Sequence, residues 1–305
     1  YKKDKWGFRG REKNVKDLDI IVVGGSTTNE KFISLKNTWS EQLEKLFLLD
    51  NKDIDVVNAG IDGQSTDGHI WNFEEWFTKI PNLKTKYIIF YFGINEKFPK
   101  ISSKNDQKNI KQSKYSVIDS DKNFSVGQWL SDIIKMSNSK YGLVYFIKKN
   151  NGITFKIYKT IYKNYIYKNN VYLGHYEIQK DYFKPTKQIV ITAENEKFLL
   201  NKLKKIKALS NKMGAEPIFI TQKSIRGVKI DSKILSIDLR DFYSYEKKLS
   251  KIIINFCDEE DLRCVDLNAL IKFENDDFYD PIHTNKNGSK KISELLYLSL
   301  ADLKF

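Results

Sequence analysis

The chain has 305 residues, 41% hydrophobic and 30% charged, with 52 Lys and Arg against 39 Asp and Glu and a formal net charge of +13. That length admits one large domain or two small ones, the balance excludes a wholly disordered chain, and no apolar run approaches the roughly 20 residues that span a bilayer. Two cysteines, Cys257 and Cys264, are too few for a disulfide scaffold, and the positive surplus, mostly Lys spread among Asn, Ile and Tyr, lacks any zinc-finger spacing, RNP-type motif or basic zipper, so nucleic acid is not expected as a partner.

The chain begins at Tyr1 rather than Met, which suggests a processed or truncated product with a leader or membrane anchor outside the sequence. Ile20-Ile21-Val22-Val23 is a short continuous apolar run, the pattern of a strand buried on both faces. It runs directly into Gly24-Gly25-Ser26-Thr27-Thr28. Thr38 with Glu41 three residues later is a capping-box pattern, and Trp39, Leu43, Leu46 and Phe47 follow at helical spacing. Ile54 to Val57 reads as a second strand that ends at Asn58-Ala59-Gly60. A helix from about Thr66 buries Ile70, Phe73 and Phe77. Tyr87 to Phe92 is a third strand, ending at Gly93-Ile94-Asn95-Glu96.

Between 97 and 187 the alternation breaks. Trp129, Leu130, Ile133 and Ile134 suggest one amphipathic helix, and Tyr158, Tyr162, Tyr165, Tyr167, Tyr172 and Tyr176 lie among lysines. This stretch is too long and too aromatic for a simple loop. It is expected to be an insertion, either a cap over the sheet or a peripheral subdomain.

The alternation then resumes. Leu199, Leu203, Ile206 and Leu209 mark a long helix, Pro217 to Thr221 a fourth strand, Phe242 to Phe256 a helix, and Cys264-Val265-Asp266-Leu267 a fifth strand. A last helix follows Gly288 through Ile292, Leu295, Leu296 and Leu298. Strands alternating with helices predict a parallel sheet covered on both faces. Residues 1–96 and 188–305 would form that core.

Polar groups recur where the strands end, the edge at which open α/β sheets build their sites. Ser26 follows strand one, Gly60 strand two and Asn95 strand three, and Asp280-Pro281-Ile282-His283 precedes the last helix. In this order the segments resemble the four signature blocks of the SGNH (GDSL-like) hydrolases. Gly24-Gly25-Ser26 is similar to the first, Asn58-x-Gly60-x-x-Gly63-x-Ser65 to the second, Gly93-x-Asn95-Glu96 to the third, and Asp280-x-x-His283 with Gly288 to the last. The resemblance covers about residues 19–96 and 190–303 and points to the carbohydrate esterase and O-acetyltransferase branch.

The resemblance implies a flavodoxin-like three-layer α/β/α sandwich with a parallel five-stranded sheet and an inserted cap. It implies a serine esterase with Ser26 as nucleophile, His283 as base and Asp280 holding the imidazole. The Ser26 and Gly60 N–H groups and the Asn95 amide would form the oxyanion hole. The chemistry requires these types: a serine hydroxyl is a weak nucleophile until a base takes its proton, imidazole titrates near neutrality, and one oxyanion donor is worth about 3–4 kcal/mol in the transition state. No metal or organic cofactor is implied.

Two departures stand out: Gly25 replaces the usual Asp before the serine, and Glu96 replaces the usual Asp of the third block. Gln222, at the end of strand four, is a candidate substrate contact or a structural hydrogen bond. Trp6 to Gly10 resembles a segment preceding the first strand in bacterial relatives with membrane-anchored N-termini, and makes Arg9 a candidate lining residue, with a salt bridge as the simpler account. His69 and His175 lack motif context and are expected to be packed or solvated; Cys264 is expected in the sheet core. The expected partner is an acylated carbohydrate or another small ester, with polysaccharide O-acetyl transfer, lipid hydrolysis and non-catalytic glycan binding as rivals, and the expected location is the bacterial cell envelope, with the cytoplasm as alternative. If the lysine surplus between Tyr141 and Lys187 has a function, it would attract an acidic polysaccharide or anionic membrane to the site.

Overall fold

A computed structural model describes residues 1–96, 98, 184–185, 189–230, 233–236 and 241–305. The core strands are β1 (Leu18–Gly24), β2 (Val56–Asn58), β3 (Thr85–Phe92), β5 (Glu216–Thr221) and β8 (Cys264–Val265). They form one sheet in the order β2-β1-β3-β5-β8, parallel throughout. This is the covered parallel sheet that the alternation predicts, in the flavodoxin-like order that the resemblance implies. Ile20 through Val23 are fully buried, as a strand covered on both faces requires.

The two faces have separate cores. On one, Ile21, Val23, Phe90, Phe92 and Phe219 pack with the inward rows of three helices: α3 (Thr66–Trp71), α4 (Ala193–Lys212) and α5 (Phe242–Glu259). On the other, Ile20, Val22, Ile89, Ile218 and Ile220 pack against α2 (Trp39–Leu49) and α7 (Lys286–Leu300), through Trp39, Leu43, Phe47, Ile292 and Leu296. The odd and even residues of β1 thus feed opposite cores, the period-two geometry of a strand.

Local capping fixes where helices begin. Thr38 accepts from Glu41 N–H at the start of α2, and Thr192 with Asn195 forms a reciprocal capping box on α4. The capping box expected at Thr38 and Glu41 is not completed, because Thr38 N–H goes to Leu35 O at 3.0 Å, and Trp39 N–H goes to the Glu30 carboxyl at 2.7 Å.

Three further expectations need revision or fall out of view, and one feature was not expected. The fifth strand is only Cys264–Val265, because Asp266 caps a short helix, α6 (Leu267–Leu270), through Ala269 N–H. Cys257 and Cys264 are joined as a disulfide with Cα atoms 6.2 Å apart, tying α5 to β8; Cys264 is half-buried at the sheet edge rather than deep in the core. A second, antiparallel sheet pairs β4 (Lys184–Pro185) with β7 (Lys233–Ser236) and β7 with β6 (Gly227–Ile230), an arrangement the sequence pattern did not signal. The 97–187 insertion, with its expected helix, cap, lysines and His175, lies outside the described residues apart from Phe98 and β4.

His69 is buried on α3 beside the rings of Phe90 and Phe92, at 5.9 and 5.3 Å. Burial pushes its pKa down to about 3, and neither ring nitrogen has a hydrogen-bond partner among the described residues. It is a packed, neutral histidine.

Candidate active site

The turn after β1 is a four-residue helix, α1 (Ser26–Asn29), entered through Gly24-Gly25. A side chain at either glycine would force a neighbour to shift. A Cβ on Gly24 would lie under 3.0 Å from Thr28, and one on Gly25 would lie under 3.0 Å from Asn95 Nδ2. The Asn95 amide lies over Gly25, so a side chain at position 25 would require Asn95 to move.

Ser26 Oγ is 2.7 Å from His283 Nε2, and His283 Nδ1 is 2.7 Å from Asp280 Oδ2. Asp280 Oδ1 accepts the N–H groups of Ile282 and His283 at 2.7 and 2.8 Å. One carboxylate thus shapes the turn that carries the histidine and also orients its ring. The turn is pinned twice more: Tyr279 N–H donates to His283 O, and Ile225 N–H to Pro281 O, both at 3.1 Å. The Tyr279 ring lies parallel to the imidazole, 5.6 Å away, with Phe32 edge-on to Tyr279 at 6.4 Å.

The loop after β2 carries two glycines with different roles. Gly60 N–H donates to Asn58 Oδ1 at 2.9 Å, and a Cβ there would lie under 3.0 Å from the Asn29 backbone. Its donor is already used, so the expected oxyanion role of Gly60 does not fit; glycine is needed there because α1 packs against it. Gly63, three residues on, is exposed, has φ +81°, and sits in a turn closed by Gln64 N–H to Ile61 O at 3.1 Å. Its N–H has no acceptor among the described residues, and neither has that of Ser26. The glycine is the signal in the sequence: a turn whose third residue takes a positive φ favours glycine there.

Asn95 follows Gly93 and is half-buried. Glu96 accepts Thr66 N–H at 3.0 Å and the Thr66 hydroxyl at 2.7 Å. It caps α3 and links the third block to the second, and burial raises its pKa above the usual carboxylate range. A longer acid in place of Asp suits this span.

Gln222 is 5% exposed. Its Oε1 accepts Ile94 N–H at 3.0 Å and its Nε2 donates to Thr27 Oγ1 at 2.7 Å. With both ends engaged inside the protein it is not an exposed substrate contact, which removes that option. Arg9 is likewise buried, at 4% exposure; its guanidinium donates to the carbonyls of Asn29, Glu30 and Ile33. It satisfies the carbonyls at the end of α1 rather than lining the site, and these bonds are to carbonyls rather than to a carboxylate.

Glu30, the residue after α1, adopts φ 44° and is 3% exposed. Its carboxyl meets Trp39 N–H on α2 and Ser289 Oγ on α7. Burial lifts its pKa to about 8. Nothing in the local sequence marks it, because its burial needs α7, which contributes Ser289 from 259 residues away, as well as the start of α2. Among the described residues, no group of three or more His, Cys, Asp or Glu is placed to hold a metal.

No family model and no curated protein matches the chain. Solved structures do. A lipolytic protein of the G-D-S-L family from Veillonella parvula is similar at 13% identity, over 94% of this chain and 100% of that one, with a TM-score of 0.46. A GDSL-like lipase from Bacteroides thetaiotaomicron is similar at 11% identity, over 94% and 88%, with a TM-score of 0.45. A catalytic mutant of Axe2, an acetylxylan esterase from Geobacillus stearothermophilus, is similar at 12% identity, over 94% of this chain and 95% of that one, with a TM-score of 0.49.

Proposed function

We propose that the chain is a serine esterase of the SGNH type that cleaves O-acyl, chiefly O-acetyl, esters of carbohydrates through an acyl-enzyme. The observation that carries this reading is the continuous chain Ser26 Oγ–His283 Nε2 and His283 Nδ1–Asp280 Oδ2, each step 2.7 Å. Ser26 Oγ attacks the ester carbonyl carbon while its proton passes to His283 Nε2. Asp280 holds the Nδ1–H and stabilises the imidazolium. The oxyanion is met by Ser26 N–H, Gly63 N–H and the Asn95 side-chain amide, donors without partners of their own among the described residues. The C–O bond then breaks, the alcohol leaves with the proton from His283, and water repeats the sequence on the acyl-enzyme.

The aromatic pair Tyr279 and Phe32 beside the imidazole, together with the tyrosine-rich sequence of the insertion, favours a sugar ring over an alkyl chain as the group carrying the ester. The Cys257–Cys264 disulfide favours an oxidising, extracytoplasmic compartment.

The test compares wild type with Ser26→Ala on p-nitrophenyl acetate and on acetylated oligosaccharides. Loss of about 10³-fold or more in kcat is expected; equal rates would overturn the reading. Adding an unacetylated acceptor sugar separates hydrolysis from acyl transfer.

A further inference from the structure

The ends of β1, β3 and β5 lie side by side, with β3 in the middle. The nucleophile follows β1 and Asn95 follows β3, so the distance between them depends on how those two turns are held. Adjacent strands are about 4.8 Å apart, so β1 and β5 are separated by roughly twice that. Gln222 stands just past β5, and its side chain crosses the end of β3 to reach the turn after β1.

Each atom of this crossing is accounted for. Gln222 Oε1 accepts the N–H of Ile94, the residue before Asn95, at 3.0 Å. Nε2 donates to the hydroxyl of Thr27, the residue after Ser26, at 2.7 Å. Gly93, at φ +151°, lies so close that a Cβ on it would be 2.7 Å from Gln222 Cβ, so the turn is seated directly on the glutamine stem. The base of the crossing is anchored too: Asn268 Nδ2 donates to Gln222 O at 2.9 Å, and Asn268 N–H to Thr221 Oγ1 at 3.0 Å. Gln222, Thr27 and Asn268 are all buried. On the far side of the crossing, Asn95 Nδ2 covers Gly25, one residue before the nucleophile.

We infer that Gln222 is a positioning residue that sets the spacing between the Ser26 nucleophile and the Asn95 amide, and so aligns the oxyanion donors. The inference rests on the esterase reading above. It assigns Gln222 no contact with substrate. A donor misplaced by about 1 Å forfeits up to about 10²-fold in rate, and that loss falls on kcat because oxyanion donors bind the transition state rather than the substrate.

Gln222→Met keeps the length of the side chain and removes both hydrogen bonds. Thr27→Val breaks the same link from the other end with little change in volume, and serves if the methionine variant folds poorly. Both are assayed on p-nitrophenyl acetate alongside wild type, Asn95→Ala and the two double variants. The expected result is a fall of about 10- to 100-fold in kcat with KM within about twofold. In the Asn95→Ala background the same substitution should cost less than about threefold, because the donor it positions is gone. Equal fold losses in the two backgrounds, or a change confined to KM, would overturn the inference. Its failure is distinct from failure of the esterase reading, in which wild type would be no faster than Ser26→Ala.

Discussion

Glu30→Gln should reverse the order of stability between two proteins as pH rises. In the folded state the carboxyl is enclosed between the end of α1, the start of α2 and the start of α7, where burial outweighs its hydrogen bonds and lifts its pKa to about 8. Ser289 Oγ contacts both the Glu30 carboxyl and Asn285 O, the latter at 2.8 Å. Ser289 Oγ donates to the Glu30 carboxyl, which by itself favours the ionised form, and burial outweighs that bond. In the unfolded chain the carboxyl ionises near its ordinary value of 4.5. The folded pKa is raised, so the stabilising contribution is complete below 4.5 and is lost as pH climbs to about 8. At about 1.4 kcal/mol per pH unit, the full interval corresponds to on the order of 5 kcal/mol. Glutamine cannot ionise, keeps an acceptor for Trp39 N–H, and offers an N–H to Ser289; its second N–H, left without a partner, costs about 1–3 kcal/mol. Urea unfolding of both proteins at pH 5, 7 and 9 gives the difference directly, and titrations shared by the two cancel. Wild type should be the more stable at pH 5 and the variant at pH 9. A difference that stays constant across this range would refute the argument that Glu30 is buried neutral.

Two further outcomes are expected. Cys257→Ser combined with Cys264→Ser, or reduction of the wild type, should lower stability by roughly 2–3 kcal/mol, since the disulfide closes a short loop; an unchanged urea midpoint after reduction would count against it. Gly25→Ala forces its methyl group into the Asn95 amide, so kcat for a small acetyl ester should fall by about 10-fold or more while the thermal midpoint moves only a few degrees. Full activity in that variant would mean that Asn95 does not need its present position.

Much of the architecture was legible because its signals are local. The apolar runs at Ile20–Val23 and Tyr87–Phe92, the cap at Thr38 and the periodic rows of α4, α5 and α7 each express a preference of one element, and alternation of such elements admits little besides a covered parallel sheet. The site candidates Ser26, Asn95, Asp280 and His283 were visible for the same reason: a parallel sheet gathers the turns after its strands at one edge. Where a role depends on a partner far along the chain, the same reasoning misplaced it. Gly60 is a local exception: its N–H goes to Asn58 Oδ1, only two residues away. Arg9, a candidate lining residue with a salt bridge as the simpler account, spends its guanidinium on backbone carbonyls, and Gln222, a candidate substrate contact or structural hydrogen bond, takes the structural role, reaching a residue 195 positions away. The disulfide required β8 to lie against α5, which seven residues of spacing do not announce.

The sequence by itself therefore determined the order of elements, the layer arrangement and the set of chemical groups at one edge of the sheet, since composition, periodicity and turn chemistry act within a few residues. Only the tertiary structure decided which of those groups are spent on holding the fold and which are left to meet a substrate. Desolvation and hydrogen-bond saturation depend on all the elements packed around a group. Glu30, Gly60, Gly63 and Gln222 took their roles only once those neighbours were in place.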